Sequence, residues 1–463
     1  MFQNLKERAT EIAPLLKKAQ ADYAEIRLEE SRSGRISYRG RELEATARSA
    51  DSGGCVRALY KGGWGFASFN TLDELKNKLN EAISLAHMAQ KGEKSCLTDV
   101  PIYDDVTIKL SGSATPFDTS LAAKKAVLDE YNDIIWSHKD LQTSVLGYAE
   151  NWKHKVFISS QGSCIAQERA DATISMTAIA HKNNQVQQSG ISEGALGDPA
   201  DLFRMHKLID QNTKQAIDLL NAKSVTGGRY TVVLNPVIAG VFVHEAFGHL
   251  SEADFLYENP QMQETMKLGT KFGAKHLTII DDPTHTGLRG SYAFDDEGTP
   301  GQKNMLIVEG VLSGRLHSRQ TASKMGEQPT GNARAISYRH QPIVRMSNTY
   351  IASNPEGPSF AEMISDIKEG IYVKNWYGGQ TSMEMFTFSA GQAYMIRHGQ
   401  ITEMLKPVML SGNVFETLHN ISAISRDLEF CQGGGCGKGE QYPLPVSNGS
   451  PHIRIENCLV AGA

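Results

Sequence analysis

The feature that most restricts the fold of this 463-residue chain is a change of pattern at Thr226-Gly227-Gly228. Before this point, amphipathic helical segments alternate with strand-like runs, whereas from Leu277 onward the chain is mostly strand-like. Helical spacing of apolar residues indicates helices, and strict alternation indicates half-buried strands. We therefore predict an α+β protein. Residues 1–224 would form an N-terminal α/β region of helices with mixed or antiparallel strands, and residues 225–463 a largely β C-terminal domain.

The N-terminal region itself is predicted to comprise two units, about residues 1–90 and 115–222. Residues 91–118 contain Gly, Pro and Asp with little periodicity, which indicates a linker or long loop. In the first unit, Ser33-Gly34, Gly53-Gly54 and Gly62-Gly63 are expected to separate short strands. The second unit is expected to end with an amphipathic helix over about Pro199–Leu220, and in the C-terminal domain a further helix is predicted near Val414–Ser425.

Composition excludes several classes of protein. Hydrophobic residues make up 40% of the chain and charged residues 21%, which is enough apolar surface for a folded core. No apolar run is long enough to span a membrane, and the first residues do not resemble a signal peptide. The net charge of -5, with interleaved acids and bases, argues against direct nucleic-acid binding. Six cysteines in so long a chain are expected to be free thiols in a reducing cytoplasm.

The most informative motif is His244-Glu245-Ala246-Phe247-Gly248-His249, placed just behind a predicted strand over Tyr230–Leu234. Asn235-Pro236 is a favourable helix start, because Asn caps the amino terminus and Pro suits the first turn. Two His and a Glu on one helix resemble the metallopeptidase pattern in which both imidazoles bind one metal and the Glu acts as general base. The motif is therefore interpreted either as a metal-binding helix or as two unrelated His on a half-buried helix.

The spacing of this motif departs from the usual pattern, since the two His are five residues apart rather than four. In a regular α-helix, residues five apart point about 140° away from each other. A π-type bulge would bring the two rings back to one side, and Gly248 would make such a distortion easier. Either the helix is deformed at Ala246–Gly248 or the two His do not share a metal.

A third metal ligand has three candidates. Glu252 and Asp254 follow the motif closely, and Cys436 lies far away in a glycine-rich loop. Lys438 could favour the thiolate, which is the form of Cys that ligates metals. The alternative is that Cys436 is an ordinary loop thiol.

Other chemistries find little support. The glycine-rich loop Gln432–Glu440 does not match the phosphate-binding pattern Gly-x-x-x-x-Gly-Lys-Ser/Thr. Gln432 stands where the pattern requires the first Gly, and Gly439 stands where it requires Ser or Thr after the Lys. No Gly-x-Ser-x-Gly nucleophile motif is present. The acidic segment Asp295-Asp296-Glu297-Gly298 could bind a cation or a peptide amino terminus, although such clusters are more often solvated turns.

Several of these segments together resemble the TldD/PmbA family of zinc metallopeptidases, formerly called modulators of DNA gyrase. The segment from His244 to Asp254 is similar to the family signature, and Cys436-Gly437-Lys438 resembles its C-terminal metal-ligand loop. Asp295-Asp296-Glu297-Gly298 and Gly63-Trp64-Gly65-Phe66-Ala67 also resemble family segments, so the similarity covers essentially the whole chain. Because the His-Glu-x-x-x-His pattern is present, the chain resembles the TldD type rather than the PmbA/TldE type.

The resemblance implies Zn²⁺ bound by His244, His249 and Cys436, with Glu245 as the catalytic base. It implies hydrolysis of small or unfolded peptides admitted through an internal channel, in a homodimer or a heterodimer with a TldE/PmbA-like chain. The alternative is a non-catalytic, metal-containing regulatory or binding subunit of such a complex. A nucleic-acid-associated role rests only on the family's older name.

Finer roles stay open at this stage. Glu252 or Asp254 could orient a metal ligand, or could serve only to stabilise the end of the helix. Donors that would stabilise the oxyanion formed during hydrolysis are not identified by any motif, and His317, Arg339 and Tyr292 are weak candidates.

Overall fold

The fold is described from a computed structural model of the chain. It describes residues 5–94, 97–110, 114–382 and 384–462. Among these residues, no helix combines the length and the apolar character that a membrane span requires.

The first 196 residues supply one seven-stranded sheet. Its strands run in the order β3-β2-β1-β5-β6-β4, with β7 also paired to β6, and all pairs are antiparallel except β4–β6. The strands are β1 (Tyr23–Arg39), β2 (Glu42–Tyr60), β3 (Gly63–Phe69), β4 (Val106–Ile108), β5 (Leu141–Ser159), β6 (Cys164–Lys182) and β7 (Gln185–Leu196).

Helices cover one face of this sheet. They are α1 (Leu5–Lys17), α2 (Leu75–Met88), α3 (Leu121–Ser137) and α4 (His206–Asp218). Alternate strand residues such as Ile26 pack with Leu79 of α2, and Ile174 packs with Leu128 of α3. Since successive strand residues point to opposite faces, the other face of β5 and β6 is left to contact the C-terminal part of the chain.

Three predictions for the N-terminal region need correction. Ser33-Gly34 and Gly53-Gly54 lie inside the long strands β1 and β2, and only Gly62-Gly63 marks a turn, with Gly62 at φ +80°. At Gly53 a Cβ atom would lie 2.3 Å from the ring of Tyr338, so this glycine serves close packing. The proposed linker contains β4.

The predicted helix limits also shift. The helix expected from Pro199 to Leu220 is a 3-10 turn, Ala200–Arg204, followed by α4 and a second 3-10 turn. The helix predicted near Val414–Ser425 ends at His419 and gives way to a strand, because the segment after Asn420 pairs with the last strand of the chain.

The C-terminal part contains two large sheets and two small ribbons. The six-stranded sheet has the order β11-β10-β9-β14-β23-β20, and the seven-stranded sheet has the order β15-β8-β24-β18-β16-β17, with β19 beside β24. The ribbons are β12–β13 and β21–β22. The strands are β8 (Gly228–Leu234), β9 (Ile279–Asp281), β10 (Asn304–Val308), β11 (Val311–Leu312), β12 (Ala333–Arg334), β13 (Ile343–Val344), β14 (Asn348–Ile351), β15 (Glu369–Ser382), β16 (Met385–Arg397), β17 (Gln400–Leu405), β18 (Val408–Asn413), β19 (Ile421–Ile424), β20 (Glu429–Cys431), β21 (Gly435–Lys438), β22 (Gln441–Pro445), β23 (Ser447–Ser450) and β24 (Ile453–Gly462).

Short helices accompany these strands: α5 (Pro236–Val243), α6 (Pro260–Thr265), α7 (Arg319–Met325), α8 (Phe360–Ile364) and α9 (Val414–His419). Helix α5 is apolar on every side and contacts strands of both large sheets. A helix that is hydrophobic all round must be buried, and Phe242 and Val243 indeed lie in the main core. The core therefore fixes the position of the motif that follows α5. The α+β class predicted from the sequence is confirmed.

The acidic segment 295–297 is not the solvated turn that we considered more common. Its three carboxylates are buried. Asp296 receives a hydrogen bond from Lys155 at 2.8 Å, and Glu297 one from Arg57 at 2.6 Å. Because Lys155 and Arg57 belong to the N-terminal sheet, the segment connects the two parts of the chain through buried ion pairs.

Candidate metal centre

The motif helix begins as predicted. Asn235 has extended backbone, and its side-chain oxygen accepts a hydrogen bond from the Ile238 amide at 3.2 Å. Pro236 occupies the first turn, where it needs no hydrogen-bond partner. The start of α5, directly after β8, is therefore set by local capping.

The helix then changes its winding at the two His. Residues His244–Gly248 form a π-helical turn, in which the His249 amide donates to the His244 carbonyl five residues earlier. The wider turn brings both imidazoles to one side, with ring centroids 5.2 Å apart and ring planes at 82°. Of the two alternatives that the five-residue spacing left open, the structure shows the deformed helix.

Gly248 has a different role from the one expected. Its backbone is ordinary right-handed helix at φ -57° and ψ -50°, so the turn does not use the extra conformational freedom of glycine. A Cβ atom at this position would lie 2.0 Å from the sulfur of Met346. The glycine is required because Met346 packs directly against the π turn.

Cys436 reaches the same place from the far end of the sequence. It lies in β21, is 3% exposed, and its Sγ is 3.5 Å from His249 Nε2. One ligand atom from each of His244, His249 and Cys436 can be chosen so that all three lie within 4.8 Å of one another. Of the three candidates for a third ligand, the structure thus brings Cys436 together with His244 and His249. Glu252 and Asp254 are not members of this group of donor atoms.

This donor set fits a zinc ion. Tetrahedral zinc, with bonds of about 2.0 Å to nitrogen and 2.3 Å to sulfur, would hold those two atoms roughly 3.6 Å apart. The distance between Cys436 Sγ and His249 Nε2 is 3.5 Å. In addition, Nδ1 of His244 is buried and has no hydrogen-bond partner in the described part of the chain. Two imidazoles and one thiolate leave one position of a tetrahedral zinc free.

The electrostatics of the cluster favour the thiolate. Burial opposes ionisation of Cys436, but the adjacent imidazoles of His244 and His249 lower the pKa of this thiol well below its usual value. Burial likewise opposes the charged form of His249, yet Glu252 and Cys436 raise the pKa of its imidazole to about 11. Without a metal, the cluster therefore holds a thiolate beside a protonated imidazole, and a metal ion would bind there by displacing the proton of His249.

Glu252 holds His249 in place. This fully buried carboxylate accepts a hydrogen bond from His249 Nδ1 at 3.0 Å and from Lys438 Nζ at 3.0 Å. Burial would raise the pKa of Glu252, but Lys438 and His249 lower it to about 2. With Nδ1 engaged, Nε2 of His249 is the atom that faces Cys436. A carboxylate behind a ligating imidazole fixes the ring and its tautomer.

Lys438 acts differently from our expectation. Its ammonium group binds Glu252, Asp254 at 2.5 Å and the Val344 carbonyl at 2.9 Å, and the two imidazoles are what stabilise the thiolate of Cys436. Asp254 contacts Lys438 and the Val344 amide, with no hydrogen bond to His249 among the described residues.

Glu245 lies at the edge of the cluster. Its side chain is 29% exposed, and its Oε2 is 3.8 Å from His249 Nε2. It is therefore accessible to water on one side and adjacent to the donor atoms on the other.

The three weak candidates for oxyanion donors are engaged elsewhere. His317 uses both ring nitrogens, with Glu327 at 3.0 Å and with a threonine hydroxyl at 3.1 Å. Tyr292 donates to the Gly331 carbonyl, and Arg339 pairs with Asp51. In the described residues, none of these contacts involves the cluster.

Two residues beside the centre carried no signal in the sequence. Arg345 is fully buried and donates to the Cys436 carbonyl at 2.7 Å and to the Gln441 carbonyl at 3.2 Å, which ties β21 to β22. Met346 fills the space above Gly248. The dipeptide Arg345-Met346 matches no sequence motif. Its role depends on contacts with segments that are remote in the sequence and meet it only in the folded chain.

With this geometry established, comparison with known proteins identifies the family. Models of the PmbA/TldA metallopeptidases match the chain in three parts. The C-terminal domain matches residues 227–462, domain 1 matches residues 24–86, and the central domain matches residues 114–220. The chain belongs to the PmbA/TldA, or TldD, metallopeptidase family.

Relatives from distant organisms match over nearly the full length. A metalloprotease of Synechocystis sp. is 44% identical over 445 residues, which is 96% of each chain. A metalloprotease of Methanocaldococcus jannaschii is 36% identical over 94% of this chain and 96% of the relative. A protein of Saccharolobus solfataricus named as a zinc metalloprotease TldD homolog is 29% identical over 96% of this chain and 99% of its own.

Solved structures share the fold. A modulator of a DNA gyrase from Thermotoga maritima superimposes with a TM-score of 0.80 at 20% identity, covering 98% of this chain and all of the other. TldE from Thermococcus kodakarensis gives a TM-score of 0.78 at 19% identity, with the same coverage. At this level of identity the similarity concerns the fold alone.

Proposed function

We propose that the chain is a zinc-dependent peptidase that hydrolyses peptide bonds in small or unfolded peptides. In this proposal His244, His249 and Cys436 hold the metal and Glu245 is the general base. One observation carries it. Two imidazoles and a thiolate from segments 187 residues apart converge within ligating distance, beside a partly exposed carboxylate.

Each residue would have a defined task. Bound zinc supplies a Lewis acid that polarises water and the scissile carbonyl. Glu245 would accept a proton on Oε2 from a water molecule at the open side of the cluster and later deliver it to the departing amine. Its partial exposure suits this task, because the carboxylate can meet both solvent and substrate.

Glu252 would act as a positioning residue. It keeps the Nδ1 proton of His249 in a hydrogen bond, so that Nε2 stays free for the metal. Lys438 neutralises the buried carboxylate and ties it to the strand that carries Cys436. The contacts from His249 to Glu252 and from Glu252 to Lys438 therefore connect the imidazole ligand with the strand that carries the thiol ligand.

We further propose that the protein works as a homodimer or with a TldE/PmbA-like partner, in the cytoplasm, on peptides rather than on DNA or membranes. In the part of the chain that the structure describes, Cys55, Cys431, Cys436 and Cys458 form no disulfide, which suits a reducing compartment. The partnership is what the resemblance of the sequence to the TldD type implies.

The test compares three variants with the native protein on an unstructured peptide, with zinc content measured in each. Glu245→Gln should retain zinc and lose hydrolysis by at least ~10²-fold, the usual contribution of a general base. Cys436→Ser should lose zinc as well as activity. The control is Glu264→Gln, an exposed Glu in α6 outside the cluster, which should change neither.

Hydrolysis by Glu245→Gln at the native rate would remove this residue from the mechanism. Equal zinc content in the Cys436→Ser variant and the native protein would remove the thiol from the site. Undiminished peptide hydrolysis after complete removal of zinc would refute the proposal as a whole.

A further inference from the structure

A cavity separate from the metal centre lies between the N-terminal sheet and the C-terminal part of the chain. It has a volume of about 650 Å³, within the range of roughly 300–1,000 Å³ typical of ligand sites. Residues of β5 and β6 form one wall, and Pro443–Pro445 of β22 belong to the other. Because β22 pairs with the strand that carries Cys436, the cavity lies beside the metal hairpin, but His244, Glu245, His249 and Cys436 do not line it.

The cations that β5 and β6 place on the N-terminal wall are each matched by a carboxylate. Alternation along β5 and β6 places residues 153, 155, 169 and 171 on the cavity side, since their even-numbered neighbours pack under the helices. The pairs are Lys153–Glu29 at 3.1 Å, Lys155–Asp296 at 2.8 Å and Arg169–Asp171 at 2.8 Å. This wall is electrostatically balanced.

Arg334, on the opposite wall, is not matched. It is 7% exposed, and its guanidinium donates to the carbonyls of Met346 at 2.5 Å and Pro445 at 2.8 Å and lies over the ring of Tyr292. In the described parts of the chain it has no carboxylate within ion-pair distance. Burial lowers the pKa of Arg334 and Arg169 lowers it further, while Tyr292 and the more distant carboxylate of Asp296 offset this only in part.

Arg289 is also a buried cation without a carboxylate partner of its own. It is 6% exposed, and its Nη1 donates to the carbonyls of Gln432 at 3.1 Å and Gly434 at 2.5 Å. Its Nε has no hydrogen-bond partner in the described chain, and the one carboxylate nearby, Asp171 at 3.6 Å, already pairs with Arg169. Burial lowers the pKa of Arg289 as well, and Asp171 offsets this only in part.

Both guanidinium groups are buried beside the cavity. Among the described residues Arg334 has no carboxylate partner, and Arg289 has to share Asp171 with Arg169. A buried cation without a counter-ion is costly, and a guanidinium group binds planar carboxylates through two parallel hydrogen bonds. The cavity also presents apolar surface from Tyr292, Phe294 and Leu444. We propose that this cavity binds an organic anion, a carboxylate on an apolar body, with Arg334 and Arg289 as its recognition groups.

The site is distinct from the proposed zinc centre, and the experiment separates the two. Calorimetric titration of the full-length protein would use N-acetyl-leucine, its uncharged amide and inorganic phosphate, each with and without a zinc chelator. N-acetyl-leucine should bind, and the amide at least ~10-fold more weakly, as expected when a charge-assisted hydrogen-bond pair is lost. Phosphate should bind more weakly than N-acetyl-leucine, and the chelator should change nothing.

Variants locate the site. Arg334→Gln should weaken binding of N-acetyl-leucine by at least ~10-fold, whereas Arg397→Gln, which removes an exposed cation paired with Glu403, should not. Equal affinity for the acid and the amide, no binding of either, or loss of binding on chelation would each overturn the proposal. Phosphate binding as tight as that of N-acetyl-leucine would refute the apolar part of the assignment. The ligand series needs no variant, so it decides the matter even if Arg334→Gln does not fold.

Discussion

Replacing Glu252 by Gln tests whether this buried carboxylate organises the metal centre. The change keeps the size of the side chain but removes its charge. Glu252 is fully buried and accepts hydrogen bonds from His249, Lys438 and the Met346 amide. Because Glu252 is fully buried, the charge of Lys438 would lose a close counter-charge, and the Gln amide can present only one acceptor oxygen to these donors.

The expected effect is a 10- to 100-fold weaker affinity for zinc, because carboxylates behind ligating imidazoles typically contribute about that much. This range corresponds to about 1.4–2.8 kcal/mol of binding free energy. His249 would then compete with Lys438 and the Met346 amide for a single acceptor oxygen, so part of the population would carry the proton on Nε2, where the metal must bind.

The assay is zinc competition against a chromogenic chelator at neutral pH, with Asp254→Asn as the matched control. Asp254 contacts the same Lys438 ammonium group but makes no hydrogen bond with His249 among the described residues. The control should therefore retain zinc nearly as well as the native protein. Native-like affinity in Glu252→Gln, or an equal loss in both variants, would show that the carboxylates matter only for the local fold.

Two further predictions concern packing and pH. A Cβ atom at position 248 would lie 2.0 Å from the sulfur of Met346, so Gly248→Ala should destabilise the π turn by about 1–3 kcal/mol and lower zinc retention. Adding Met346→Ala to this variant should recover part of the zinc retention. An unaltered zinc content in the Gly248→Ala variant would disprove the contact. The pKa of Asp296 is about 2 in the fold, since Lys155 and Arg27 outweigh its burial, against 3.8 ordinarily. A lowered carboxyl pKa stabilises the fold above the ordinary value, so about 2 kcal/mol should be lost as the pH falls from about 4 to 2. Acid titration followed by tryptophan fluorescence should show a shallower loss in Asp296→Asn, and identical profiles would exclude this ion-pair cluster as the cause.

Local hydrogen bonding explains which structural features could be predicted from the sequence. The start of α5 depends on Asn235 and Pro236, so a pattern of two residues is enough to predict it. The five-residue spacing of the two His left a choice between a π turn and imidazoles on different faces, and the structure decides that choice. The glycines of β1 and β2 misled for the complementary reason. Gly34 and Gly53 look like turn signals, but each accommodates a side chain from another segment, Glu150 and Tyr338 respectively.

What the sequence determined by itself is therefore the α+β class, the capped start of the helix that carries His-Glu-x-x-x-His, and the set of residues that resembles a metallopeptidase centre. Only the tertiary structure decided that a thiol 187 residues away lies beside those imidazoles, that Glu252 rather than Asp254 holds His249, and that acidic residues 295–297 are buried against the N-terminal sheet. Distances and burial between remote segments depend on how the sheets pack, and no short-range pattern encodes that packing.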